Sequence, residues 1–333
     1  MSILVVGSLA YDEVHTPTEH RSGVLGGAAS YFAVAAARHA PVRLVGVIGD
    51  DFAESDVDRI AAAGVDLAGL ERRPGRSVRW LGRYDEAFGA AETINTDLGV
   101  FDGWRPDVPV AYRDSAYVFL ANIDPEIQLA VREQLPDARF VALDSMNYWI
   151  TTRREALLRV IARVDLVCLN EAEIRQLWGR PDIAAGARDL IALGPRAVVV
   201  KRAEHGATLY TADDLFWCPA YPVRRVVDPT GAGDTFAGGL VGALARAGAT
   251  GGAALRRAVV QGTVSASFAV ESFSIDRLAV ATAVEADARC AELAALVAVD
   301  PGPPVGRTEN AEPATPAGTD GRTGRGTAAP PRL

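Results

Sequence analysis

The sequence predicts an α/β fold in which a mostly parallel sheet is covered by helices on both faces and a small antiparallel flap lies over its carboxyl ends. Three observations carry this expectation. Short apolar runs alternate with helical patterns along most of the chain. Residues 77–101 break that rhythm with polar–apolar alternation. At residue 300 the composition changes abruptly. With 333 residues, 49% of them hydrophobic, the chain can bury a substantial core.

Residues 3–6 form an apolar run stopped by Gly7 and read as a buried first strand. The alanine-rich residues 28–39 follow Gly26-Gly27 and precede Pro41, which predicts a helix. A strand over 42–48 is closed by Gly49-Asp50-Asp51, and a helix through 54–63 is ended by Gly64. The alternation continues with strands at 116–121, 139–144, 165–169 and 196–200, and helices at 125–134, 153–163, 171–178 and 183–193. Further on, a strand ending at Val227 leads to a helix from near Asp234 to about Ala247. Such alternation implies right-handed crossovers and a mostly parallel sheet. Between these elements, Val78, Trp80, Gly82 and Tyr84, then residues 93–96, read as antiparallel strands outside that sheet, joined by residues near 12–24. A flap over the carboxyl ends would be a lid, and a plain surface hairpin is the alternative. Residues 300–333 are dominated by Pro, Gly, Thr and Arg, with Val305 and Leu333 as the only large aliphatics. They cannot bury enough apolar surface to offset their ordering entropy, so 1–299 is read as the folded domain and 300–333 as a disordered tail.

Composition excludes several functions. With 34 basic against 42 acidic residues, net −8, the chain lacks the concentrated positive charge that nucleic-acid binding requires. Nucleotides are not excluded, because backbone N–H groups and a few side chains hold them. Cys168, Cys218 and Cys290 are far apart with no CxxC pair, which supports neither a disulfide framework nor a zinc knuckle. No signal peptide or membrane span is apparent, and a cytoplasmic location is expected. His15, His20, His39 and His205 show no HExxH spacing, and no GxSxG elbow occurs.

The informative run is Asp228-Pro229-Thr230-Gly231-Ala232-Gly233-Asp234, continued by Thr235-Phe236-Ala237-Gly238-Gly239. Small residues at a strand-to-helix turn let a ligand touch the backbone. The N–H groups of Gly231, Ala232 and Gly233, with the positive end of the following helix, read as an anion hole. A carboxylate beside an anion site is paradoxical unless Asp234 takes a proton from a hydroxyl as that oxygen attacks phosphorus. The run is not a Walker A loop, and Phe236 stands where a GxGxxG fingerprint needs its third glycine. An ordinary N-cap aspartate is the plainer alternative, outweighed by the residues on either side of the loop.

Asp228 to Gly239 resembles the C-terminal signature of the ribokinase-like (PfkB) carbohydrate kinase family, and supporting matches spread over nearly all of residues 1–298. The resemblance implies a three-layer α/β/α sandwich with a small β lid. It implies Asp234 as catalytic base and Gly231-Ala232-Gly233 as the cradle of the transferring phosphoryl group, with Thr230 beside the nucleotide. Asn170-Glu171-Ala172-Glu173, at a strand's carboxyl end, resembles the family motif that organises Mg2+, water and nucleotide phosphates; alone it would be a capped helix start. Asp12 and Gly26-Gly27 resemble the substrate site, where an Asp grips sugar hydroxyls and a glycine pair admits the backbone. The chain also departs from the pattern. Tyr31 stands where the family often has Asn. The nucleotide loop reads Lys201-Arg202-Ala203-Glu204-His205-Gly206, keeping Gly206 and offering Lys201 as a point charge to phosphate. Asp144-Ser145-Met146-Asn147 matches an Asp-Pro-Asn run incompletely. The expected activity is ATP- and Mg2+-dependent phosphorylation of a small sugar-like hydroxyl, with a nucleoside as the close second acceptor. Tyr31, Trp80 or Tyr84 could then stack on a base. A non-catalytic sugar or nucleotide sensor is the rival. The resemblance leaves open a monovalent cation and a homodimer formed through the lid.

Overall fold

In this computed structural model, residues 1–86, 88–89 and 91–298 are described. The expected tail at 300–333 lies outside them. β1 (Ile3–Val6) is followed by two strands of a separate sheet, β2 (Ala10–His15) and β3 (His20–Gly26). The chain returns through α1 (Ala28–Ala37), β4 (Val42–Gly49), α2 (Glu54–Ala62) and β5 (Val65–Arg73), then leaves again as β6 (Val78–Arg83) and β7 (Glu92–Asp97). Regular alternation follows: β8 (Tyr117–Leu120), α3 (Pro125–Gln134), β9 (Phe140–Asp144), the short α4 (Asn147–Thr152), α5 (Arg154–Ile161), β10 (Leu166–Asn170), α6 (Glu171–Trp178), α7 (Ile183–Leu193) and β11 (Ala197–Lys201). A hairpin of β12 (Ala207–Thr211) and β13 (Leu215–Cys218) precedes α8 (Ala232–Ala247), α9 (Gly252–Ala269), α10 (Asp276–Val280) and α11 (Ala283–Leu296).

The large sheet runs β13-β12-β11-β10-β9-β8-β1-β4-β5, parallel from β11 to β5, with the antiparallel hairpin as one edge. Its central strands are apolar throughout because both faces are covered. Ile3, Val5, Tyr117 and Phe119 enter one core with α1, α8 and α9. Leu4, Val6, Val118 and Leu120 enter the other with α3, α5, α6 and α7. The period-two alternation of β1 and β8 thus divides between two buried layers, which makes the three-layer sandwich.

The small sheet runs β3-β2-β6-β7. Its two hairpins are antiparallel, as expected, but they join through a parallel pairing of β2 with β6. Two other expectations fail. Residues 226–227 form no strand: Val227 N donates to Val270 O at 2.8 Å, so the backbone is tied to the end of α9 rather than to a ladder. Strands β5, β12 and β13 were not expected: β5 mixes charged residues into its run, and β12 and β13 are short, at five and four residues.

Candidate active site

From β1 the chain proceeds to one side of the sheet through β4 and β5, and from β8 to the other through β9, β10 and β11. The carboxyl ends of β1 and β8 are therefore the topological switch point, where α/β sheets leave a crevice. Helix α8 packs on α1 and reaches both strands. The loop entering it is fixed by its own sequence. Asp228 Oδ1 accepts from Thr230 N at 2.9 Å, which turns the chain. Gly231 is the N-cap with φ 74°, and a Cβ there would stand 2.3 Å from the Tyr31 ring, so glycine is required twice over. Ala232 N donates to Pro229 O at 3.1 Å. The amide of Ala232 is thus engaged within the turn.

Asp234 is the third residue of α8 and not its cap, so the N-cap alternative fails on geometry. It is half-buried, and it lies among protein groups that replace much of its water. That desolvation first, and the Asp144 charge second, push its carboxyl up to about 7, against the pull of Lys201.

Three adjacent parallel strands bring its neighbours together. Asp144 ends β9, Asn170 ends β10 and Lys201 ends β11, with Asn170 opposite Lys201 in the ladder. Lys201 Nζ donates to Asp144 Oδ2 at 2.5 Å, with side-chain exposures of 16% and 3%. Burial acts against the Lys201 charge, but Asp144, Glu173 and Asp234 together overcome it and hold the ammonium above an ordinary lysine. The same amine lies 3.0 Å from where a Cβ on Gly233 would begin, so the cation touches the loop because residue 233 has no side chain. Asn170 and Glu173 form a complete capping box: Asn170 Oδ1 accepts from Glu173 N at 2.9 Å, and Glu173 Oε2 accepts from Asn170 N at 2.7 Å. The helix-cap reading is therefore true of the geometry. Glu173 is also buried, and desolvation chiefly pushes it up to about 8, with Lys201 opposing and Asp144 reinforcing. Its Oε1 has no hydrogen-bond partner among the described residues.

On the lid side, Asp12 is 5% exposed and has no hydrogen-bond or ion-pair partner among the described residues. Burial, then the charges of Asp228 and Asp234, raise its carboxyl to about 8. Its side chain covers Gly26, where a Cβ would come within 1.9 Å of Oδ2. Gly27 has φ 92° and lies so close to the backbone of residues 8–10 that a Cβ would approach Ser8 O to 2.5 Å. Trp80 is the cross-strand partner of Asp12, so both rise from the same face of the lid. Its ring lies over Gly82 and Nε1 donates to Thr93 Oγ1 at 3.2 Å. Tyr84 Oη is 3.1 Å from Thr230 Oγ1, which links the lid to the glycine loop. The Tyr31 phenol faces Asp12, Asp228, Tyr84 and Asp234; burial first, then these groups, raises it well above an ordinary tyrosine.

The expected residues Asp12, Asn170, Glu173, Lys201, Thr230, Gly231, Gly233 and Asp234 thus share one region at the switch point. Gly206 stands apart, in the β11–β12 turn, with φ 83° and a Cβ position 2.0 Å from Cys218 O; the turn itself demands glycine. Two carboxylates were missed as site residues. Asp144 is the ion-pair partner of Lys201, and its position at the end of an apolar strand was the available signal. Asp228 is 1% exposed, and its Oδ2 has no partner among the described residues.

Comparison with known proteins gives this arrangement a family. Residues 2–279 match the pfkB family carbohydrate kinases. A cytidine kinase of Thermococcus kodakarensis is 30% identical over 251 residues, covering 74% of this chain and 89% of that protein. The structure of a Burkholderia thailandensis nucleoside kinase in complex with inosine superposes with TM-score 0.73 at 23% identity, covering 87% of this chain and 97% of the other. A Thermotoga maritima ribokinase superposes with TM-score 0.69 at 23% identity, covering 87% and 99%. The chain belongs to the pfkB carbohydrate kinase family and is a phosphotransferase that acts on a hydroxyl acceptor.

Proposed function

We propose that the chain transfers the γ-phosphoryl group of ATP to a ribose hydroxyl of a nucleoside, with Asp234 as the base. The observation that carries the catalytic part is the Asp234 carboxyl, raised to about 7 beside a glycine-lined helix start. A base with that value is about half ionised at neutral pH and accepts a proton far more readily than an ordinary carboxylate. The acceptor's O–H proton passes to the Asp234 carboxylate. Its oxygen bonds to the γ-phosphorus, and the bond from phosphorus to the bridging oxygen of ADP breaks. Charge on the equatorial oxygens is met by the positive end of α8 and by Lys201, which stands against Gly233. Asp12 and the lid hold the acceptor, whose hydroxyls replace the water that the Asp12 carboxyl lacks.

Magnesium fits the donors that are present. Glu173 offers the free Oε1, and Asp228 offers the orphaned Oδ2; both are hard oxygen ligands of the kind that hold Mg2+ directly or through water. When bound, the ion neutralises phosphate charge. A nucleoside is favoured over a free sugar by the cytidine kinase likeness over most of both chains, and by Trp80, an aromatic surface on the same lid face as Asp12. A nucleobase can stack there while the ribose meets Asp12.

The test is ATP consumption by the purified chain against a panel of nucleosides and free sugars. Turnover stimulated by nucleosides supports the proposal. Turnover only with free sugars removes the nucleoside part, and substrate-independent silence with retained nucleoside binding makes the chain a sensor.

A further inference from the structure

The lid hairpin carries a cluster that phosphoryl transfer does not use. His15 and His20 are cross-strand partners in the β2–β3 pairing, so their side chains rise from one face. Glu13, two residues before His15, shares that face, and Asp12 lies on the other. Glu13 Oε1 is 3.0 Å from His20 Nε2 and 3.4 Å from His15 Nε2. The two imidazoles stack with centroids 4.0 Å apart and planes at 18°. One ligand atom from each of the three residues lies within 4.8 Å of the others.

The turn between the strands is braced independently. Thr16 N donates to Glu19 O at 2.9 Å and Glu19 N donates to Thr16 Oγ1 at 3.0 Å, so the hairpin holds its ends without help from the cluster. Arg83 stands opposite His15 on β6 and is drawn toward Glu92 at 3.8 Å.

We propose that Glu13, His15 and His20 form a binding site for a divalent transition cation of the Zn2+ type, which staples the two strands of the lid hairpin. Two imidazoles gathered around one carboxylate oxygen are a ligand set that suits zinc, copper or nickel and not magnesium. Zinc bonds of about 2.0–2.1 Å in a tetrahedron place ligand atoms about 3.3–3.5 Å apart. The spacings of 3.0 and 3.4 Å around Glu13 Oε1 need only a small opening to reach this. Water completes the shell, because the three side chains are partly exposed.

The experiment is a calorimetric titration of the full, tag-free chain with zinc chloride in excess magnesium, paired with amide exchange of residues 10–26. Saturable one-to-one binding is expected, with slower exchange in the hairpin. His15→Ala with His20→Ala should abolish both effects while leaving the zinc-free melting temperature unchanged. Glu13→Gln, which keeps size, should weaken binding ~10-fold or more. Absence of binding, displacement by magnesium, or undiminished binding in the double variant (which would move the site to the cysteines) overturns the proposal.

Discussion

Lys201 Nζ donates to Asp144 Oδ2 at 2.5 Å, and this pair joins the ends of two strands that do not touch in the sheet, β11 and β9. The strand between them, β10, supplies Glu173 just beyond its end. The ion pair is thus the bridge that sets a fixed positive charge beside Gly233.

Lys201→Met would leave Asp144 buried without its partner. Breaking a buried pair in this way costs about 3–5 kcal/mol, so a large fall in melting temperature is expected together with weaker ATP binding. Adding Asp144→Leu removes the orphaned charge and should recover much of the stability but none of the ATP affinity. Recovery of both would show that Lys201 serves the fold alone.

Glu173→Gln keeps the capping box, because glutamine at the third helical position also reaches back to the N-cap amide. The melting temperature should hold, while the magnesium requirement rises and turnover falls. An unchanged magnesium dependence of the initial rate would reduce Asn170 and Glu173 to helix caps.

Asp12 has a folded-state value of about 8 against an ordinary 3.8. The folded state therefore binds the proton more tightly, and stability is lost as pH rises from the unfolded value through the folded one. Asp12→Asn removes that penalty. Its melting temperature relative to the parent chain should climb between pH 5 and 8 (two values chosen inside about that window). A difference that does not vary with pH would mean that the carboxyl is not desolvated.

How much of this was legible in the sequence depends on where each signal resides. The central strands announce themselves because both faces are buried, so Ile3 to Val6 and Tyr117 to Leu120 read as unbroken apolar runs. The loop at Thr230–Gly233 was legible because a positive φ and the approach of Tyr31 tolerate only glycine at 231. Edge strands were hidden: β5 mixes Asp66, Glu71, Arg72 and Arg73 with its apolar residues. The Asp144–Lys201 pair was hidden for another reason. It joins residues 57 apart in sequence, and only the order of the sheet brings them together. The linkage of Tyr84 to Thr230 is longer still, at 146 residues.

The most direct test of the catalytic assignment is turnover by Asp234→Asn. Asn keeps the size of the side chain, and Gly231, not residue 234, caps the helix, so the fold should survive. It cannot take the proton from the attacking hydroxyl. Positioned bases contribute typically ~10²–10⁴-fold, so kcat should fall by about that factor while ATP affinity is kept or slightly improved by loss of a negative charge near the phosphates. A folded Asp234→Asn chain that phosphorylates its acceptor at close to the parent rate would contradict the role of Asp234 as the base.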